Sequence, residues 1–406
     1  MEHRPASYRA VLRERTTQRL WLATAVSVLG DFIGAGALLV LAYERSGEQA
    51  LGPAALLAAT AVGSLSVAVF AGPTLDRLSR REALTGVQVI GSGAILIPVL
   101  VDGLAVILGA AVLLGAVRAA AASLRHGVLA DSVSDHLRAG FLALGGATDQ
   151  VGQVAGYVIG AAIAVHIGAS AALQLDAASF ALGALILWTA GLPDERRPDK
   201  RARDLGEGWR VIFTHPHLRV IALLVFASTA VSALPEMLAA SAVAEAPNWL
   251  PVVLAAGPAG TAIGMLVGGR APGTQTFRGQ LRHLTAFGTF ALLATLADGP
   301  VAFALANLLI GAGAAWILGP QVTFVRLGPP RSMAQVTAAM VAFTMAGEGL
   351  STVLFGLVAD RQGVAAAYGA AGLVVMATAA VGWGIYRRRV VGGLDHLERT
   401  PASDAA

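Results

Sequence analysis

Hydrophobic positions in this chain neither alternate at a strand period nor recur on one helical face. They run on. The residues are almost continuously apolar at about Leu20–Ala42, Leu51–Leu75, Ala83–Val101, Leu104–Leu124, Ala139–Ile167 and Gly168–Leu192. After a polar break the pattern resumes at about Val220–Ala244, Leu250–Gly269, Leu284–Ala297, Val301–Val325, Met333–Ala359 and Val364–Tyr386. A hydrocarbon core of roughly 30 Å needs about 20 apolar residues in a helix, so each run predicts one transmembrane helix and the set predicts twelve. A transmembrane barrel would show alternating segments of about 10 residues, a pattern these uninterrupted runs exclude.

The polar breaks divide the chain. The first run follows a basic segment, Met1–Arg19, and is longer than the apolar stretch of a usual signal peptide, so it is expected to be retained. The longest hydrophilic stretch, Pro193–Arg219, splits the chain into residues 1–192, a linker at 193–219, residues 220–386 and a tail at 387–406. The halves echo one another. Asp102-Gly103 and Asp298-Gly299 each turn the third run of a half into a Gly-rich fourth, carrying Gly115 and Gly311. The expected fold class is therefore an all-α membrane protein of two six-helix pseudo-repeat bundles, an architecture that places a substrate site at mid-membrane between the halves.

Composition agrees: 56% of side chains are hydrophobic and 13% charged, where a soluble domain carries about 25% charge. No cysteine is present, which excludes disulfides and thiolate metal sites, and the eight histidines are scattered. Neither metal nor cofactor is expected. With a cytoplasmic N-terminus, only Arg45 and Arg361 fall on outward loops and Arg118 lies within a span, leaving every other Lys or Arg inside. Topology thus accounts for the net charge of +4, and nucleic acid is not required. Both termini are expected in the cytoplasm, and the bias to Arg, Ala and Gly suggests a bacterial plasma membrane.

Ionisable residues within spans cost at least ~2.5–3.5 kcal/mol at the bilayer centre and point to function. Asp31 lies 12 positions beyond Arg19, roughly 18 Å along a helix, and Glu348 has a similar depth in the eleventh run. Neither has an evident cationic partner, so a carboxyl that is neutral when dry and ionised when wet is expected, as proton coupling requires. Arg118 and Asp149 are expected to meet, as a working pair or a structural ion bridge. Gln150 and Gln153 add hydrogen-bonding groups nearby. Glu236, just after Pro235, reads as a solvated carboxylate at the outer end of the seventh span. Phe32, Tyr157, Trp316 and Phe343 are candidate cavity aromatics, with packing or an interface belt as the plainer reading. Gly152, Gly156 and Gly160 make overlapping small-xxx-small steps that permit close helix approach.

The break from Gly72 to Arg81 reads Gly-Pro-Thr-Leu-Asp-Arg-Leu-Ser-Arg-Arg. With Gly72, Asp76, Arg77, Arg80 and Arg81 in place, and Ser79 where a second glycine is usual, it resembles the loop 2–3 motif of the major facilitator superfamily. Leu29-Gly30-Asp31, Leu175-Asp176-Ala177-Ala178-Ser179-Phe180 and Glu207-Gly208-Trp209-Arg210 are similar to its drug:proton antiporter branch, which includes macrolide and siderophore exporters. In the fifth span the exporter motif appears as Gly152, Gly156, Tyr157, Gly160 and Ala161, without its proline, and Gly356–Arg361 reads like the loop motif on the outer face.

The resemblance implies the major facilitator fold, export of an amphipathic small molecule in exchange for protons, and a gating role for the Gly72–Arg81 stretch. Asp76 is expected to pair with Arg125 or to cap the start of the eleventh span, where a carboxylate favours the positive helix end. The partners expected are the substrate, protons and the lipid bilayer, with the chain acting as a monomer. Uptake or lipid movement on the same fold, and a non-transporting sensor or scaffold, are the alternatives. An enzyme is not expected, as no nucleophile–base spacing stands out.

Overall fold

The computed structural model describes residues 12–67, 79–132, 135–190, 205–268, 276–314, 317, 319–320 and 333–391. The described chain is helical, with no strand. The first half contains α1 (Arg15–Arg45), α2 (Leu51–Ser66), α3 (Arg80–Leu100), α4 (Leu104–Ser132), α5 (Asp135–His166) and α6 (Ala169–Trp188). A linker helix, α7 (Leu205–Thr214), leads to α8 (Pro216–Ser232), α9 (Leu250–Gly268), α10 (Phe277–Leu293), α11 (Gly299–Ala314), α12 (Met333–Gln362) and α13 (Val364–Val391). Eight described segments are long and apolar enough to cross a membrane, and α2 and α11 are shorter apolar helices. With α5 and α10 they make the twelve spans that the apolar runs predict.

The near face is the one where α1 begins and α13 ends; the other is the far face. Several boundaries differ from the apolar runs for local reasons. Ser79 caps α3, its Oγ accepting the Glu82 amide at 3.2 Å and donating to the Glu82 carboxylate at 2.9 Å. A serine here, where the resemblance leads one to expect glycine, supplies a cap for an otherwise unsatisfied amide. α4 continues through Arg125 to Ser132, so much of the expected polar connector is helical. Beyond α8 the helix breaks at Pro235 into two four-residue turns, Leu234–Met237 and Ala239–Ala242, because proline lacks the amide that would continue the ladder. Gly103 and Gly299 take φ of +129° and +78°, which only glycine adopts readily, so the two Asp-Gly steps are tight turns.

The halves repeat one another in their packing. α1 lies against α5 and α6, α2 against α4, and α3 against α6; correspondingly α8 lies against α12 and α13, α9 against α11, and α10 against α13. Close approach uses the same device twice. A side chain at Gly115 of α4 would collide with the Thr60 carbonyl of α2, and one at Gly311 of α11 with the Gly257 carbonyl of α9. Between the halves, α2 packs on α12 and α5 on α9. The outward surfaces carry exposed Leu100, Leu185, Leu266, Leu305, Leu354 and Val381. Helices apolar on every side are what a lipid solvent demands.

One contact fastens the halves at the far face. The first amides of α2 have no side-chain cap of their own. Asp360, near the end of α12, accepts the Ala50 amide at 2.6 Å and the Leu51 amide at 3.1 Å, placing its charge on the positive helix end. Gly356, one turn earlier, faces Ala54 and Leu51, and Gly349 faces Ala58 and Ala61.

Candidate functional site

A cavity of ≈ 250 Å³ lies at the junction of the halves. α1 contributes Phe32, α2 Leu57 and Thr60, α4 Leu114 and Arg118, α5 Gln153 and Tyr157, and α12 Met345 and Glu348, with Glu236 at the break after α8. Most of the remaining wall is leucine and alanine. The wall draws on both halves, with α1, α2, α4 and α5 on one side and α12 and Glu236 on the other, so a solute in the cavity touches both.

Arg118 is held from behind by α1. Its NH2 donates to the Asp31 carbonyl at 2.7 Å, and its Nε lies 3.5 Å from the Asp31 carboxylate. The expected pairing of Arg118 with Asp149 is therefore corrected, as is the expectation that Asp31 lacks a cation. Chain order misled there: α4 packs on α2 and α3, and its arginine reaches α1. Asp149 is exposed on α5 and interacts electrostatically with Arg125.

A second acid stands beside the pair. Asp176 of α6 is 1% exposed, fills the space left by Gly30 and Gly34 of α1, and accepts a hydrogen bond at 3.2 Å from Ser179. The sequence singled it out only as part of a family likeness; an acid inside an apolar run was the signal available.

Glu236 departs furthest from its expected place. It lies on the cavity wall instead of a solvated rim, and Gln153 Nε2 donates to its carboxylate at 3.3 Å. The Tyr157 hydroxyl is also within side-chain hydrogen-bonding reach. Glu348 lies on the same wall, half-buried, with no hydrogen-bond partner among the described residues. Gln150 is half-buried and its Oε1 has no described partner.

Phe32 and Tyr157 both line the cavity as an edge-to-face pair, with ring centroids 5.3 Å apart. Phe343 does not. It packs against Phe226 at 4.7 Å, Trp209 at 5.9 Å and Phe213 at 6.1 Å, which pins the linker helix α7 to α12 near the near face. Gly152, Gly156 and Gly160 of α5 meet Val28, Phe32 and Ile33 of α1. Arg81 stacks over the Trp188 ring at 4.0 Å, and Arg125 is half-buried. Gly72, Asp76, Arg77 and Trp316 lie outside the described residues, as does the side chain of Arg80, so the expected gating contact falls outside them too.

Solved membrane transporters share the fold, and three of them show the likeness. The chain is similar to the peptide transporter POT, with a TM-score of 0.72 and 13% identity over 91% of this chain and 94% of that one. A bacterial homologue of the human lysosomal transporter Spinster, in an inward-facing and unoccupied conformation, gives 0.67 and 17% over 91% and 95%. The human organic anion transporter MFSD10 gives 0.63 and 15% over 90% and 99%. No curated protein matches significantly. The family model of the Major Facilitator Superfamily matches residues 20–352. Twelve described spans in two like-packed halves around a cavity, together with a match over most of its length, place this chain in the Major Facilitator Superfamily, a family of membrane transporters.

Proposed function

We propose that the chain is a secondary exporter of amphipathic organic compounds, driven by inward proton flow and working by rocking of the two halves. Glu348 carries the reading. It is a carboxyl on the wall of an apolar cavity between the halves, with no described hydrogen-bond partner. An unpartnered carboxylate in such surroundings is costly, and a proton relieves that cost. Binding a proton or a solute at one position, each favouring a different conformation, is the differential affinity that coupling needs. Asp31 and Arg118 form a compensated pair beside it, and the α1–α5 glycine contact serves as the pivot. The described contacts at Asp360, Gly356 and Gly349 support a state closed at the far face.

The charge asymmetry of the loops supports a near face in the cytoplasm of a bacterial cell, with the chain acting as a monomer. Uptake on the same fold is the second reading. Tyr157 favours it, standing where exporters of this resemblance carry a proline and turning its hydroxyl toward Glu236.

Inside-out membrane vesicles separate the two. On energisation with ATP, vesicles bearing the chain should accumulate a fluorescent amphipathic dye, and a protonophore should abolish the accumulation. Glu348→Gln should cripple it. Dye expulsion would reverse the direction, and normal accumulation in both Glu348→Gln and Asp31→Asn would sink the coupling assignment.

A further inference from the structure

We propose that the solute taken by this cavity is a monovalent organic cation with an aromatic or branched apolar body, its positive centre seated between Glu348 and Glu236. The inference rests on the transport reading and adds to it the charge of the substrate.

The ionisable side chains on the wall are Arg118, Glu236 and Glu348. Arg118 is matched from behind by both the carbonyl and the carboxylate of Asp31. Arg118, the one cation among the described lining residues, is thus compensated before any solute arrives, and the two glutamates are not. Gln153 and Tyr157 offer Glu236 neutral donors, which solvate a carboxylate without cancelling its charge. Glu348 lacks even these.

A monocation offsets one of these two negative charges and the coupling proton the other, while an anion would face the carboxylates and would have to draw Arg118 away from Asp31. The rest of the wall fixes the body of the solute. Leucines, Met345 and the Phe32–Tyr157 pair surround the carboxyls, so an apolar group is buried as the charge is met, and the ring faces attract the cation further. A volume of ≈ 250 Å³ suits a compact amine of about one ring.

The test is equilibrium binding to the purified full-length protein with three probes of similar size: phenyltrimethylammonium, cumyl alcohol and phenylacetate. The wild type should bind the cation at least about tenfold more tightly than the alcohol, and phenylacetate weakest. Glu348→Gln should remove the cation preference, and an unchanged thermal unfolding temperature should report the fold of the variant. Glu348→Asp should restore part of the preference, and Glu236→Gln should reduce it.

Equal affinity for cation and alcohol, a preference for phenylacetate, or a cation preference that survives both glutamine replacements overturns the proposal. Proton-driven movement of a neutral or anionic compound alone would reject the charge assignment and leave the transport reading standing. A cation preference without proton-driven movement of any solute would do the reverse.

Discussion

Removing the carboxylate of Asp31 would leave the Arg118 guanidinium inside the protein without its counter-charge. Breaking a fully buried pair from one side costs about 3–5 kcal/mol, and a half-buried one such as this costs less, whereas removing both partners costs less still. Asp31→Asn should therefore lower the melting temperature of the purified protein, and Asp31→Asn combined with Arg118→Gln should recover most of the loss. Additive losses in that cycle would contradict the pairing. At this scale the sequence was informative about which residues matter and poor on which ones meet. Asp31, Arg118 and Glu348 were visible as charges within apolar runs. Their directions were not, because lipid and protein interior are equally apolar and leave no polar face to mark the outside. Phe343 was misplaced for the same reason. Glu236 was placed at a solvated outer end because it falls late in the seventh run, whereas Pro235 bends the chain within the bundle and brings the next side chain onto the cavity wall.

Helices in this chain touch where small residues allow it. Gly115 and Gly311 each lie against a carbonyl of the neighbouring helix, so Gly115→Val and Gly311→Val should each destabilise by about 1–3 kcal/mol. Gly384, which faces open space in α13, should tolerate Ala with little change. Thermal unfolding of the three variants tests the contrast, and equal effects would refute it. The Trp209 contact makes a separate claim: Trp209→Ala should speed amide exchange across α7 without altering that of α11. Element type and number were legible from the run lengths alone. The helical extension past Arg125 was not, since polar residues continue a helix as readily as they end one. The Asp-Gly echo looked weak in the sequence, yet it marks equivalent turns ahead of the Gly115 and Gly311 contacts.

For the whole molecule, two like halves around a linker were foreseen from the polar breaks, whereas the fastening at the far face was not. The loop-like motif near Asp360 looked displaced because the sequence cannot show that α2 begins beside it. Asp360→Ala should raise the population open at the far face. The chain has no cysteine, so spin labels at Gln49→Cys and Gln362→Cys, both exposed positions, can be added without background. The distance distribution between them should shift longer in the Asp360→Ala protein, and an unchanged distribution would show that Asp360 does not hold the face shut.

The Asp360 contact also makes the protein its own meter. The amides of Ala50 and Leu51 donate hydrogen bonds to a carboxylate on the opposite half, so deuterium reaches them chiefly when the halves part at that end. Their uptake rate counts openings in the unmodified, unlabelled chain. Any compound that biases the conformational balance must change that rate by the factor through which it shifts the open population. Two backbone positions outside the cavity thereby register what enters it, whatever the compound's identity.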